Sequence, residues 1–227
     1  MVKNRVVKSA CALCVCVIFF SLLGCEANQT LAPAAYKTIV IDAGHGGIDG
    51  GVTGVNSGAL ESDINLEIAK KLKTALENAG FRVELTRSTS GGLYGALSAG
   101  FKLRDMNKRA QIINSCDADL VISVHQNKFS QEHRRGGQVF YQKGSASSAA
   151  LAANVQKQLN ELMPYSTQKS IIAGDFFILR QSPCPAVIVE CGFLSNGEDE
   201  KLLLTSEHQI QLATAILSAV TAYFYSV

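Results

Sequence analysis

Several things this chain lacks narrow what it can be. It has seven cysteines, but the three in the body of the chain, Cys116, Cys184 and Cys191, stand at no zinc-ribbon spacing. Cys11, Cys14 and Cys16 lie within the first 24 residues and Cys25 follows directly, which leaves Cys116, Cys184 and Cys191 for the body of the chain. Cys184 and Cys191 flank a predicted strand and would stand roughly 20 Å apart, beyond disulfide reach. All three read as small packing residues. The chain also lacks a charge excess. Lys3, Arg5 and Lys8 account for the surplus of bases, and without them 18 basic residues face 19 acidic ones. That argues against a nucleic-acid-binding surface, which would show as a basic stripe. There is no internal repeat. There is no Gly-x-Ser-x-Gly elbow for a serine nucleophile. The uncharged and mostly apolar stretch over residues 9–24 falls short of the ~20 residues of a membrane span.

That stretch has another reading. A basic start, an apolar middle and the ending Leu22-Leu23-Gly24-Cys25 form a secretory signal layout. The ending resembles a bacterial lipobox, in which the cysteine is lipidated and becomes the first mature residue. The expectation is a lipoprotein-type signal peptide over residues 1–24, lipidation at Cys25, and a small polar tether over 25–36 containing Pro33. Residues 37–227 are a normal size for one domain with its own core.

Within that domain, apolar runs alternate with helical periodicity. Thr38-Ile39-Val40-Ile41 predicts a buried strand that breaks into Asp42-Ala43-Gly44-His45-Gly46-Gly47. A glycine-rich loop over 46–58 follows. Ile64, Ile68, Leu72, Leu76 and Ala79 recur at helical steps, with Gly80 as the stop. Residues 81–87 alternate as a strand, 88–100 form a flexible loop of small residues, and 103–114 form a second helix. Strands are predicted over 119–125, 138–141, 176–179 and 186–190. Helices are predicted over 147–163, 202–204 and 210–223. The order predicts an α/β fold, a twisted and mostly parallel sheet with helices on both faces.

In such folds, ligands gather outside the carboxyl ends of the strands. Three strands end in His45, His125 and Glu190. Catalytic zinc takes three ligands from His, Asp and Glu and leaves a position for water. The residues alone leave the third ligand open between Glu61, its neighbour Asp63, and Glu190. Glu190 suits a free carboxylate that moves a proton, and a buried carboxylate paired with arginine is the bland alternative. Glu61 at a helix start could instead merely suit the helix dipole. Asp42 reads as a supporting or structural residue, and Cys191 as a remote choice for a thiol nucleophile. His133 sits in a charged loop. His208 near the last helix is expected to be exposed.

The segments Ile41-Asp42-Ala43-Gly44-His45-Gly46-Gly47, then Glu61, then Ser123-Val124-His125-Gln126-Asn127, then Val189-Glu190-Cys191-Gly192-Phe193-Leu194-Ser195-Asn196 resemble the zinc-dependent N-acetylmuramoyl-L-alanine amidases of the Amidase_3 family. Arg109, Asn114 and Ala118-Asp119-Leu120 fit as well. The likeness runs from Thr38 to Tyr223. It implies one zinc ion on His45, Glu61 and His125, and Glu190 as the catalytic glutamate. It implies hydrolysis of the amide joining N-acetylmuramic acid to L-alanine in peptidoglycan. Gln126 departs from the family's usual alanine or leucine, which suggests altered substrate contacts. The interval of 65 from His125 to Glu190 leaves no room for the autoinhibitory helix of cell-division members. The compact layout is similar to the spore-cortex amidases of CwlD type. General wall turnover, a zinc peptidase of other specificity and a non-catalytic wall-binding lipoprotein are the alternatives. The implied protein is exported and lipid-anchored at the outer face of the membrane or in the wall. It would act on peptidoglycan, with an activator left open and no nucleic-acid partner. Its substrate-contacting residues are not legible.

Overall fold

Every residue of β1 (Thr38–Ala43) is buried, which is what a strand covered on both faces demands. In this computed structural model, which describes residues 36–165 and 167–225, β1 lies inside a six-stranded sheet. The signal peptide, Cys25 and nearly all of the tether lie outside the described residues. The elements follow in the order α1 (Glu61–Asn78), β2 (Arg82–Leu85), α2 (Phe101–Ser115), β3 (Leu120–Asn127), β4 (Gln138–Gln142), α3 (Ala146–Leu162), β5 (Ile172–Gly174), α4 (Phe177–Gln181), β6 (Ala186–Phe193), α5 (Gly197–Leu203) and α6 (Ser206–Tyr225). The strand order is β2-β1-β3-β6-β4-β5. All neighbours are parallel except β4 and β6, which run antiparallel. The expected α/β class and mostly parallel sheet are as read from the sequence.

Side-chain alternation along the strands divides the core in two. Ile39, Ile41, Ile122, Val124, Val187 and Val189 pack with α1, α3 and α6 in the large core. Val40, Val121, Ala186 and Ile188 face the other way, against Ile113 of α2 and Ile178 and Leu179 of α4. Helices therefore cover both faces. At the site edge the register slips by one residue, from His125 opposite Glu190 to Asn127 opposite Phe193. Such a bulge re-aims the side chains around it.

Three expectations need correction. Residues 176–179 are not a strand: the strand is β5, and the apolar run opens the short helix α4. Four apolar residues carry no clear period, and here Ile178 and Leu179 bury against the small core. His208 is buried, not exposed, because it starts α6, whose apolar face meets the large core. Cys191 lies within β6 rather than beyond it, and all three cysteines are free. The loop over 88–100 is tied down by Arg104, which donates to the carbonyls of Tyr94, Ala96 and Ala99.

Candidate active site

The site grows from the turn after β1. His45 adopts φ 60°, a left-handed conformation that costs a non-glycine residue energy and must be held by its surroundings. Two buried arginines hold it. Arg109 donates to the carbonyls of Ala43 and His45 and to Asp42 Oδ1 at 2.6 Å. Arg87 donates to the carbonyls of Ala43 (2.8 Å), Gly44 (2.9 Å) and Ser62 (2.7 Å). Burial opposes the charge on Asp42, but Arg109, Thr86 and Ser123 outweigh it and hold the carboxyl at about 2. Burial and the nearby Arg109 charge lower Arg87 to about 10.

Glycine is required where the turn meets its neighbours. A Cβ on Gly44 would lie 2.2 Å from the His125 ring, and one on Gly51, at φ 71°, would lie 2.4 Å from Glu61 Oε2. The glycines thus let backbone sit against the very side chains that gather here.

His45, Glu61 and His125 offer ligand atoms all within 4.8 Å of one another. Glu61 Oε2 lies 3.3 Å from His45 Nε2, and Glu61 Oε1 lies 2.9 Å from His125 Nδ1. The two imidazoles meet edge to face, 5.0 Å between centres. Backbone N–H groups of Val52 and Gln126 donate to the Glu61 carboxylate. Burial opposes its charge, but the two histidines hold it well below the usual carboxylate range. Burial also opposes a charge on His45, yet Glu61 and Asp49 raise it. Two imidazoles and one carboxylate, converging and mutually close, are a donor set that fits zinc.

Asp63, the rival in the same turn, is exposed and outside this group. Glu190 stands directly across from His125 on β6. Its Oε2 is buried with no hydrogen-bond partner among the described residues. No arginine pairs with it there, so the bland alternative does not hold. Burial pushes Glu190 up to about 7, against the pull of His125. Cys191 points into the large core and burial pushes its thiol far up, so it is no nucleophile. His133 is exposed in its loop. His125 and Glu190 are not the last residues of their strands. β3 and β6 run two and three residues further.

Sequence reading missed several contributors. Asp49 Oδ2 lies 3.1 Å from His45 Nδ1. A cavity of about 300 Å³ opens beside the histidines, walled by Tyr94, Phe101, Met106, Phe176 and Phe177, with Lys102 among its lining residues. No local signal marked these residues, because they come from separate loops and helices. Gln126 is buried beside Glu61 and Asn65 and is not among the residues that line this cavity.

The profile of the Amidase_3 family, N-acetylmuramoyl-L-alanine amidase, matches residues 39–222. The chain belongs to the Amidase_3 family. With membership comes the enzyme class, a peptidoglycan N-acetylmuramoyl-L-alanine amidase. The chain is 31% identical over 195 residues to the germination-specific N-acetylmuramoyl-L-alanine amidase of Bacillus subtilis, covering 85% of this chain and 81% of that one. It is 28% identical to the Escherichia coli amidase AmiA, covering 83% of this chain and 76% of AmiA. In three dimensions it is similar to the CwlD amidase from Clostridioides difficile, solved in complex with the GerS lipoprotein. There the TM-score is 0.79 at 34% identity, over 83% of this chain and 98% of that one.

Proposed function

We propose that this amidase is zinc-dependent, with His45, Glu61 and His125 holding one ion and Glu190 moving the proton. The observation that carries this reading is the buried, unpartnered Oε2 of Glu190 beside a converging His-Glu-His donor set. Zinc bound there supplies Lewis acidity toward the amide carbonyl and makes water a better nucleophile near neutral pH. Glu190 takes the proton of the attacking water and delivers it to the amine of the departing L-alanine. Glu61 is fully engaged by two histidines and two backbone donors, so it stays ionised as a ligand. The cavity beside the histidines, with its aromatic walls, is where this reading seats the substrate.

The same reading extends to biology. We infer an exported protein, its residues 1–24 a signal peptide and Cys25 its lipid anchor, working at the wall. Among the described residues no helix is long and apolar enough to cross a membrane. The likeness to the germination-specific amidase and to CwlD supports a spore-cortex substrate, and the likeness to AmiA supports general wall turnover. The CwlD structure holds a lipoprotein partner, which supports a search for an activating partner here.

Digestion of purified peptidoglycan, with zinc and after chelation, read by mass spectrometry, tests the reading. Zinc-dependent release of stem peptides with a free L-alanine amine is expected. Cuts inside the peptide would make the protein a peptidase. Comparing cortex with vegetative peptidoglycan separates the two biological roles.

A further inference from the structure

Behind the donor set, on the sheet face opposite the cavity, runs a polar chain that the reaction does not use. Alternation along β3 sends the His125 side chain to the cavity and the Gln126 side chain toward the large core, where it is 3% exposed. The Gln126 backbone N–H donates to Glu61 Oε1 at 3.0 Å. Its side-chain Nε2 donates to Asn65 Oδ1 at 3.1 Å. Asn65 is fully buried, one turn after Glu61 on α1. Its Nδ2 donates to the Gly44 carbonyl at 3.1 Å and to Glu61 Oε1 at 3.3 Å. The Gln126 Oε1 finds no partner of good geometry, with the weakly polar Cys191 thiol beside it. A buried acceptor left unpaired costs stability, and an apolar side chain of the same shape would avoid that cost.

We propose that Gln126 is a positioning residue for the metal site, acting through Asn65. An asparagine amide has two orientations related by a flip. In one, its donors face Glu61 and the Gly44 carbonyl. In the other, its oxygen faces a carboxylate and a carbonyl, and both contacts repel. Among the described residues, the Gln126 amide is the donor on Asn65 Oδ1, and it locks the first orientation that the two acceptors already favour. Asn65 then ties the helix carrying Glu61 to the backbone just before His45. The stability that the unpaired Oε1 costs is exchanged for a ligand set already in place. This rests on the reading of Glu61 as a ligand.

The test is zinc affinity of the purified protein, by competition with a chromophoric chelator, with the melting temperature of the zinc-free protein and kcat at saturating zinc measured in parallel. The variant is Gln126→Met, nearly the same shape, with Gln126→Leu as a second. The expected result is zinc binding about 10-fold weaker. The variant exchanges the unpaired Gln126 Oε1 for an unpaired Asn65 Oδ1, so the zinc-free melting temperature is nearly unchanged, and kcat at saturating zinc stays within about 2-fold. A double-mutant cycle with Asn65→Ala should show that Gln126→Met adds nothing once Asn65 is gone. Unchanged zinc affinity in both variants overturns the proposal. So does a weakening matched by an equal loss of zinc-free stability, or full additivity in the cycle. Glu61→Gln is measured alongside. If it loses zinc while the Gln126 variants bind normally, only this proposal fails. If it binds as tightly as the parent, the ligand reading fails and this proposal with it.

Discussion

Glu61 is a buried carboxylate and Glu190 a half-buried one with its Oε2 buried, both at one sheet edge, yet their surroundings give them opposite tasks. Glu61 has five partners and is held ionised. Glu190 has an oxygen with none. Glu190→Gln should therefore retain bound zinc and lose at least about 100-fold in kcat. Metal analysis beside a peptidoglycan release assay checks this, and zinc loss would make Glu190 a ligand. Gly44→Ala pushes a Cβ to 2.2 Å from the His125 ring. It should lower both zinc content and stability, the latter by about 1–3 kcal/mol, read by metal analysis and urea melts. Asp42 titrates near 2 in the folded protein, below the ordinary ~3.9. A depressed folded value contributes stability that is complete above the unfolded value. That contribution is lost as pH falls toward 2. Urea midpoints at pH 5, 3 and 2 should fall accordingly, and Asp42→Asn should flatten that part of the curve. The same substitution should cost on the order of 3 kcal/mol at pH 7, because it weakens the pairing of buried Arg109.

At the scale of elements, the loop over 46–60 decides whether Glu61 arrives where it is needed. Its base is fixed by backbone bonds from Glu61 to Val52 and from Ser62 to Gly50, and its distal part by bonds from Gly54 to Ala59 and from Val55 to Leu194. Its tip is clamped by one buried carboxylate, Glu200 of α5. Glu200 accepts from the backbone N–H groups of Asn56 and Ser57, from Asn56 Nδ2 and from Ser57 Oγ. The clamp is 144 residues away in sequence from Asn56. Glu200→Ala should destabilise the fold by on the order of 1–2 kcal/mol, since four donors of an exposed loop tip lose a charged acceptor. Limited proteolysis should then cut within 50–60 before anywhere else. A cleavage pattern like the parent's would show that the loop holds itself.

For the whole molecule, one sheet edge collects everything the chemistry uses. Zinc that binds only the folded state must raise its stability. Chelation should therefore abolish hydrolysis and lower the melting temperature together, and added zinc should restore both. Recovery of one without the other would separate the metal's structural and catalytic parts.

The sequence by itself determined the α/β class, most of the elements, and three of the four central residues. Each of these is written in local order: buried strands as apolar runs, helices as three-and-four spacing, and His45, His125 and Glu190 near the carboxyl ends of strands. Glu61 could be chosen over Asp63 only by resemblance, since both open the same helix. The tertiary structure separated them by burying one and exposing the other. It alone decided that α1, on the large-core side, sends Glu61 around the sheet edge to histidines on the other side. It alone placed Arg87, Arg109, Asp49 and Asn65 on a single turn, and made residues 177–181 a helix. These contacts join positions tens of residues apart. They depend on which faces pack together, and periodicity along the chain carries no record of that.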